Sequence, residues 1–276
     1  MVEVYAGANG PFRLIVDTGA NRTVLDPSVA TALGLVPGPE QRVLGVAGVT
    51  AAPMAPLSRL SVGDYQRTDV SVALIGGRVL AGAHGLLGMD FFEGRRMTLD
   101  FQHSLLAIEG SAPRRVREAL VLAQGDLLHG TLMILGARLG DVRARALADT
   151  GATHTIVNPA LGALLGAQID QTGETARAST AAGAVPLDAV QLPLLAVGDL
   201  RVRRLSAFMA DLDVFSLWAQ PGEPAMVLGM DVWRLAEAVS IDYPRAEVQL
   251  RLAGHNRPDA AEPASRMRDA QTVRRG

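Results

Sequence analysis

The chain has 276 residues, enough for one large domain or two of about 130. Hydrophobic residues make up 49% and aromatics only 4%, so a core must be built from Leu, Val, Ala and Ile. A net charge of −2 gives no drive toward nucleic acid, the lack of cysteine excludes disulfides, thiol catalysis and cysteine-ligated metals, and no apolar run approaches the ~20 residues of a membrane span.

In chain order, residues 1–5 read as an opening strand rather than a secretory leader, and Gly7-Ala8-Asn9-Gly10 as a hairpin turn. The apolar run Leu14-Ile15-Val16 then delivers Asp17-Thr18-Gly19-Ala20, followed by Thr23-Val24-Leu25. Pro27 and Gly34 bracket a short helix, proline at its first turn and glycine past its end. Residues 57–62 and 69–75 read as strands, with a hairpin turn at Val62-Gly63-Asp64 between them. Leu86-Leu87-Gly88 comes next, then a turn over residues 91–94 and the strand-end segment Leu99-Asp100-Phe101.

After the connector Gly110-Ser111-Ala112-Pro113-Arg114-Arg115, residues 116–123 are expected to form a helical turn or a strand crossing between halves. The first half then recurs. Ala146-Leu147-Ala148 leads into Asp149-Thr150-Gly151-Ala152, Thr155-Ile156-Val157 follows, and Pro159 and Gly166 bracket a second helix, all displaced by 132 residues. Val197-Gly198-Asp199, Leu228-Gly229-Met230-Asp231 and Ile241-Asp242-Tyr243 match at offsets of 135, 141 and 142. Motifs that keep their order while small insertions accumulate mark a duplicated chain. Residues 240–252 read as one alternating stretch, and the Pro- and Arg-rich tail beyond them as mobile. The predicted organisation is a lobe over 1–110, a connector over 111–125, a lobe over 126–253 and a disordered tail over 254–276. The segments are short and Gly/Pro-punctuated, an all-β pattern with about one short helix per lobe.

All 26 basic residues are arginine, which excludes lysine chemistry and reads as the coding bias of a GC-rich bacterial genome. Two Asp-Thr-Gly loops in matched settings suggest two carboxylates brought together. Like charges in contact cannot both ionise, so such a pair shares a proton and can serve as base and acid in one turnover. Glycine admits the close approach of the two loops, and each Thr hydroxyl can bond across to the partner loop.

These motifs resemble the retropepsin-like (retroviral-type) aspartic proteases in a single-chain form. The resemblance rests on Asp17-Thr18-Gly19-Ala20, Asp149-Thr150-Gly151-Ala152, and the apolar–apolar–Gly partners Leu86-Leu87-Gly88 and Val227-Leu228-Gly229. It implies a bilobed acid-protease fold of two pseudo-symmetric, closed, barrel-like lobes. It also implies an aspartic endopeptidase acting through one water, with no metal, cofactor or covalent intermediate. Asp17 and Asp149 would be catalytic, Thr18 and Thr150 would brace the loops, and Gly19 and Gly151 would permit their approach. The apolar–apolar–Gly segments should pass through and behind the catalytic loops. Flap hairpins are expected near residues 42–56 and 176–189, with Gly45, Gly48 and Gly183 supplying mobility and, with Ala20 and Ala152, touching an apolar peptide substrate. One chain carries both loops, so a monomer suffices.

The chain departs from the family in lacking an ion pair that retroviral members build behind the loop: Asn21-Arg22 and Thr153-His154 follow the alanines, and Met89 and Met230 follow the later glycines. Asp90 and Asp231 are expected to substitute, by rewired support, a helix cap or a salt bridge. The five histidines show no metal-ligand spacing, although His154 lies beside the second loop. Arg114-Arg115-Val116-Arg117 reads as a solvated linker, and Trp218 and Trp233 as packing residues. Rival readings are a peptide-binding module that does not cut and a protease kept latent by its own chain. A soluble protein is expected, in the periplasm if a leader was removed or otherwise in the cytoplasm.

Overall fold

The computed structural model describes residues 1–45, 48–77, 82–113, 120–166, 170–180 and 183–252. The predicted tail over 254–276 and the arginine-rich linker over 114–117 lie outside them. Among the described residues no helix is long and apolar enough to cross a membrane.

The first lobe is a sheet of seven strands: β1 (Val2–Ala6), β2 (Asn9–Val16), β3 (Val24–Leu25), β4 (Glu40–Gly45), β5 (Gly48–Val62), β6 (Tyr65–Leu74) and β7 (Gly85–Leu87). Their spatial order is β1-β2-β7-β3-β6-β5-β4, and β5 also pairs with β1. Six strands therefore close into a barrel from which β4 and the start of β5 project as a hairpin. The barrel fills with Leu14, Val16, Leu57, Leu60, Val72, Leu87, Phe91 and Phe92. The β5–β6 turn falls at the expected Gly63, whose φ of 53° suits a residue without a Cβ. Helix α1 (Pro27–Ala32) begins where Asp26 accepts a hydrogen bond from Ser28 N and stops before Gly34, at φ 66°.

The second lobe repeats this order. After β10 (Leu120–Leu128) come β11 (Leu132–Leu139), β12 (Val142–Ala148), β13 (Ile156–Val157), helix α2 (Pro159–Leu165), β14 (Asp170–Thr180), β15 (Gly183–Leu192), β16 (Leu195–Val197), β17 (Leu200–Val202), β18 (Leu205–Met209) and β19 (Ala225–Leu228). They run β11-β12-β19-β13-β18-β15-β14, strand for strand the order of the first lobe. The equivalent of the long β5 is split into β15 and β16 at Pro193, which has no N–H to donate to a ladder, and β16 closes onto β11.

A third sheet joins the halves. It contains β8 (Arg95–Asp100) and β9 (Leu105–Gly110) from the first, and β20 (Ala238–Asp242), β21 (Glu247–Arg251) and β10 from the second, ordered β10-β21-β20-β8-β9. Thus β10 is the crossing strand, and residues 240–252, read from sequence as one stretch, are two strands folded at a turn. The pseudo-twofold axis passes between β8 and β20, where Thr98 pairs with Ser240 and their hydroxyls lie 2.8 Å apart. Beside them the buried Arg96 guanidinium reaches Asp242 Oδ2 at 2.5 Å, and Arg251 reaches Asp100 at 2.8 Å. Asp100 and Asp242, at the ends of β8 and β20, are therefore structural.

Candidate active site

Each Asp-Thr-Gly loop leaves the end of a barrel strand. β2 carries Val16 beside Leu87 of the parallel β7, and β12 carries Ala148 beside Leu228 of the parallel β19. The amide of Asp17 donates to Leu87 O at 3.1 Å, and that of Asp149 to Leu228 O at 3.0 Å. Gly88 and Gly229 then cross behind the loops. A Cβ on Gly88 would lie 2.3 Å from Arg22 C, and one on Gly229 2.4 Å from His154 C, so only glycine permits the crossing. Met89 N to Ala20 O (2.9 Å) and Met230 N to Ala152 O (2.8 Å) complete the clamp.

The loops lock together through threonine. Thr18 Oγ1 donates to Ala148 O at 2.7 Å and accepts from Thr150 N at 2.9 Å. Thr150 Oγ1 donates to Val16 O at 2.7 Å and accepts from Thr18 N at 3.2 Å. Both residues are buried, so each of the four bonds occupies a group that would otherwise be stranded away from water.

Asp17 and Asp149 meet in the middle, in hydrogen-bonding contact with one another. A Cβ on Gly19 would lie 2.5 Å from Asp149 Cγ, and one on Gly151 2.5 Å from Asp17 Cγ, so each loop's glycine is the seat for the other loop's carboxyl. Gly19 N donates to Asp17 Oδ1 at 3.0 Å; Gly151 N and Ala152 N donate to Asp149 Oδ1 at 2.6 and 3.3 Å. Asp149 Oδ2 is buried, and among the described residues no amide or hydroxyl donates to it. The neighbouring ionisable group is the Asp17 carboxyl, whose charge acts on Asp149, and two carboxyls placed so can share a single proton.

The two carboxyls are not equivalent. Burial raises the pKa of both, but Asp17 is half-buried whereas Asp149 is fully enclosed. The negative charge of Asp17 raises Asp149 further, while the hydrogen bond between them lowers Asp17. Burial and the partner's charge thus act more strongly on Asp149 than on Asp17. Tyr243, buried and hydrogen-bonded to Met89 Sδ, has its phenol pKa raised by burial and then by that same Asp17 charge.

Behind the loops, Asp90 and Asp231 do the supporting work, but through threonine rather than as a salt bridge or a helix cap. Asp90 Oδ1 accepts from both Thr23 N and Thr23 Oγ1 at 2.8 Å. Asp231 uses two oxygens, Oδ2 for Thr155 N and Oδ1 for Thr155 Oγ1, both at 2.8 Å. The threonine hydroxyls in turn accept from Gly88 N and Gly229 N, each at 3.2 Å. The short helices that follow, residues 89–92 and α3 (Met230–Trp233), have Gly88 and Gly229 as N-caps, without a side-chain cap. Trp233 packs into the core and donates to Leu228 O.

Hairpins β4–β5 and β14–β15 stand at the two expected flap positions, Gly45 opposite Gly48 and Thr180 opposite Gly183. The first is tied to its own loop: Asn21 N donates to Leu44 O at 3.1 Å, and Leu44 N to Asn21 Oδ1 at 2.8 Å. It also spans the lobes, since Leu44 belongs to an apolar cluster with Ile134, Phe208 and Phe215, against which Ala152, Ala176 and Val185 pack. Gly48 abuts Asp213, where a Cβ would lie 3.1 Å from Asp213 Cβ. That contact comes from a 3₁₀ turn over Asp213–Leu217 which the motif reading missed. Its trace was present in the repeat offset, which rises from 135 to 141 across this stretch and marks an insertion. Ala20 is buried beneath its loop, whereas Ala152 is half-exposed toward the cluster. His154 lies edge-on to Phe208, and among the described residues no group of His, Asp and Glu could hold a metal ion.

A family described as aspartyl protease matches the chain over residues 2–91 and 135–232. The two segments carry the two loops and their apolar–apolar–Gly partners. No curated protein matches the chain.

Proposed function

The chain belongs to the retropepsin-like aspartyl proteases, and from that premise we propose that it is an endopeptidase whose catalytic pair is Asp17 and Asp149. The observation that carries the reading is that the two Asp-Thr-Gly loops, locked through their threonines, seat each carboxyl against the other loop's glycine, with Asp149 Oδ2 buried between them. Aspartic-protease dyads are the standard instance of such proton sharing.

In the mechanism the geometry supports, the Asp17 carboxylate removes a proton from a water lying between the carboxyls. The water oxygen bonds to the scissile carbonyl carbon as Asp149 delivers its proton to the carbonyl oxygen, giving a neutral gem-diol. Asp17 then passes its proton to the amide nitrogen, the C–N bond breaks, and Asp149 recovers a proton from a diol hydroxyl. A carboxylic acid and an amine leave, and the pair again holds one proton. The threonine lock fixes the geometry before substrate arrives, so little reorganisation is left for the reaction itself.

The substrate would be an extended peptide beneath the two hairpins, with Gly45, Gly48 and Gly183 near their tips. Leu44, Ala176, Val185 and Ala152 share one apolar cluster beside the dyad, which favours hydrophobic side chains next to the cut bond. One chain supplies both carboxyls, so no second copy is needed. The test is Asp17→Asn and, separately, Asp149→Asn, assayed for cleavage of apolar peptides from acidic to neutral pH. Each should lose at least about 10³-fold in kcat, the scale of removing a general acid or base. Cleavage that persists in either variant removes the dyad, and a wild type that binds peptide without ever cutting it makes the protein a binding module.

A further inference from the structure

On the outer face of the second lobe, arginines line up across adjacent strands. Arg143 of β12 stands directly opposite Arg138 of β11, which stands opposite Ala196 of β16, which stands opposite Arg201 of β17. Directly paired residues point to the same face, so the three guanidiniums form a row about 14 Å wide, three strand spacings. Arg145 stands two residues further along β12, opposite Gly136, and the small residues between the arginines leave an open groove of about 670 Å³.

Like charges directly opposite on a sheet destabilise it, and here little offsets them. Arg138 and Arg143 are exposed, and among the described residues neither forms an ion pair. Arg145 is held by Trp218 O, and Arg201 by Gly198 O and Leu200 O, neutral carbonyls that fix the guanidiniums without cancelling their charge. Glu223, at one end of the groove, accepts from Gln220 N. Asp141 and Asp199 lie in the turns before β12 and β17, and among the described residues neither pairs with the row. In a chain of net charge −2 this face is a local excess of positive charge.

We propose that this row is a docking surface for an acidic, extended polypeptide segment, about 20 Å along β12 from Asp149. A phosphate site gathers donors, including backbone amides, onto one point. Here the strand amides are consumed by the ladders and the guanidiniums are spread out. Three carboxylates at alternate positions of an extended chain span about 14 Å, the width of the row.

The test is fluorescence anisotropy of a labelled peptide of alternating Glu and Ser, titrated with the full chain at low and at physiological salt. Expected are saturable binding that weakens with salt and a loss of about tenfold in Arg138→Gln/Arg143→Gln, with Tm unchanged or raised because a repulsive pair is relieved. Arg59→Gln/Arg67→Gln, on the other lobe, should bind as the wild type does. Equal binding of a Gln-Ser peptide, or no change in the Arg138/Arg143 variant, overturns the proposal. Tighter binding of inorganic tripolyphosphate through the same arginines also overturns it, in favour of a phosphate site. Should the double variant fail to fold, Arg143→Gln alone gives the same reading at about threefold. The assay reads binding only, so its result is independent of whether the protein cuts peptides.

Discussion

Replacing Gly151 with alanine tests the reading at the level of a single methyl group. The new Cβ would stand 2.5 Å from Asp17 Cγ, where ordinary contact begins near 3.4 Å. The Asp17 carboxyl must therefore recede by about 0.9 Å. Its backbone cannot follow, because Asp17 N is held by Leu87 O and the next residue by Ala148 O. The side chain alone turns away, and a carboxyl–carboxyl hydrogen bond of ordinary length opens beyond its limit of about 3.2 Å. Misplacing a reacting group by about 1 Å costs on the order of 10²-fold in rate, so kcat for peptide cleavage should fall by at least that factor. Overpacking should cost roughly 1–3 kcal/mol of stability. Gly19→Ala presses on the fully buried Asp149 instead and should lower Tm more. Gly110→Ala, an exposed position with nothing within 4 Å of the added methyl, should leave both quantities unchanged. Steady-state kinetics and thermal unfolding on the three variants decide the matter. A Gly151→Ala enzyme within about threefold of wild-type kcat would refute the claim that carboxyl contact sets the rate.

Other outcomes follow from the same geometry. Thr18→Val strands Thr150 N and Ala148 O and should cost roughly 2–5 kcal/mol in urea unfolding, whereas Thr18→Ser keeps both bonds and should cost roughly 1; equal losses would deny the lock its role. Asp90→Asn should be tolerated within about 1 kcal/mol, because one oxygen takes both bonds from Thr23. Asp231→Asn turns an NH₂ toward a donor and should lose roughly 1–3 kcal/mol, so identical unfolding curves for the two variants would contradict the pairing described. Asp17, Asp90, Asp149 and Asp231 all have raised pKa values, chiefly through burial. Each binds its proton more tightly folded than unfolded, so its stabilising effect is complete below the usual carboxylate value of 3.8 and is lost as pH rises through the folded value. Asp100, held low by Arg251, acts oppositely and only at strongly acidic pH. Tm should therefore decline from about pH 4 toward neutrality, less steeply in Asp149→Asn; a parallel slope would show that Asp149 is not the group that titrates.

Much of the site was legible without coordinates because duplication writes the same local chemistry twice. Asp17 with Asp149, the bracketed helices at Pro27 and Pro159, and the glycine turns at Gly63 and Gly198 each depend on residues adjacent in the chain. Legibility failed where a contact had no local signature. Nothing around Asp90 or Asp231 announces that its carboxylate will hold Thr23 or Thr155, far away along the chain. The flap contact of Gly48 with Asp213 left only a shift in repeat offset.

The sequence by itself determined that two matched Asp-Thr-Gly loops exist, that each follows a strand, and that the fold is all-β. Those features rest on short-range periodicity, turn chemistry and internal repetition, which a linear string records. The tertiary structure alone decided that the two aspartates differ, with Asp149 sealed and Asp17 half-open. Burial and the field of a neighbouring charge depend on everything packed around a group, and no pair of identical tetrapeptides can encode that difference.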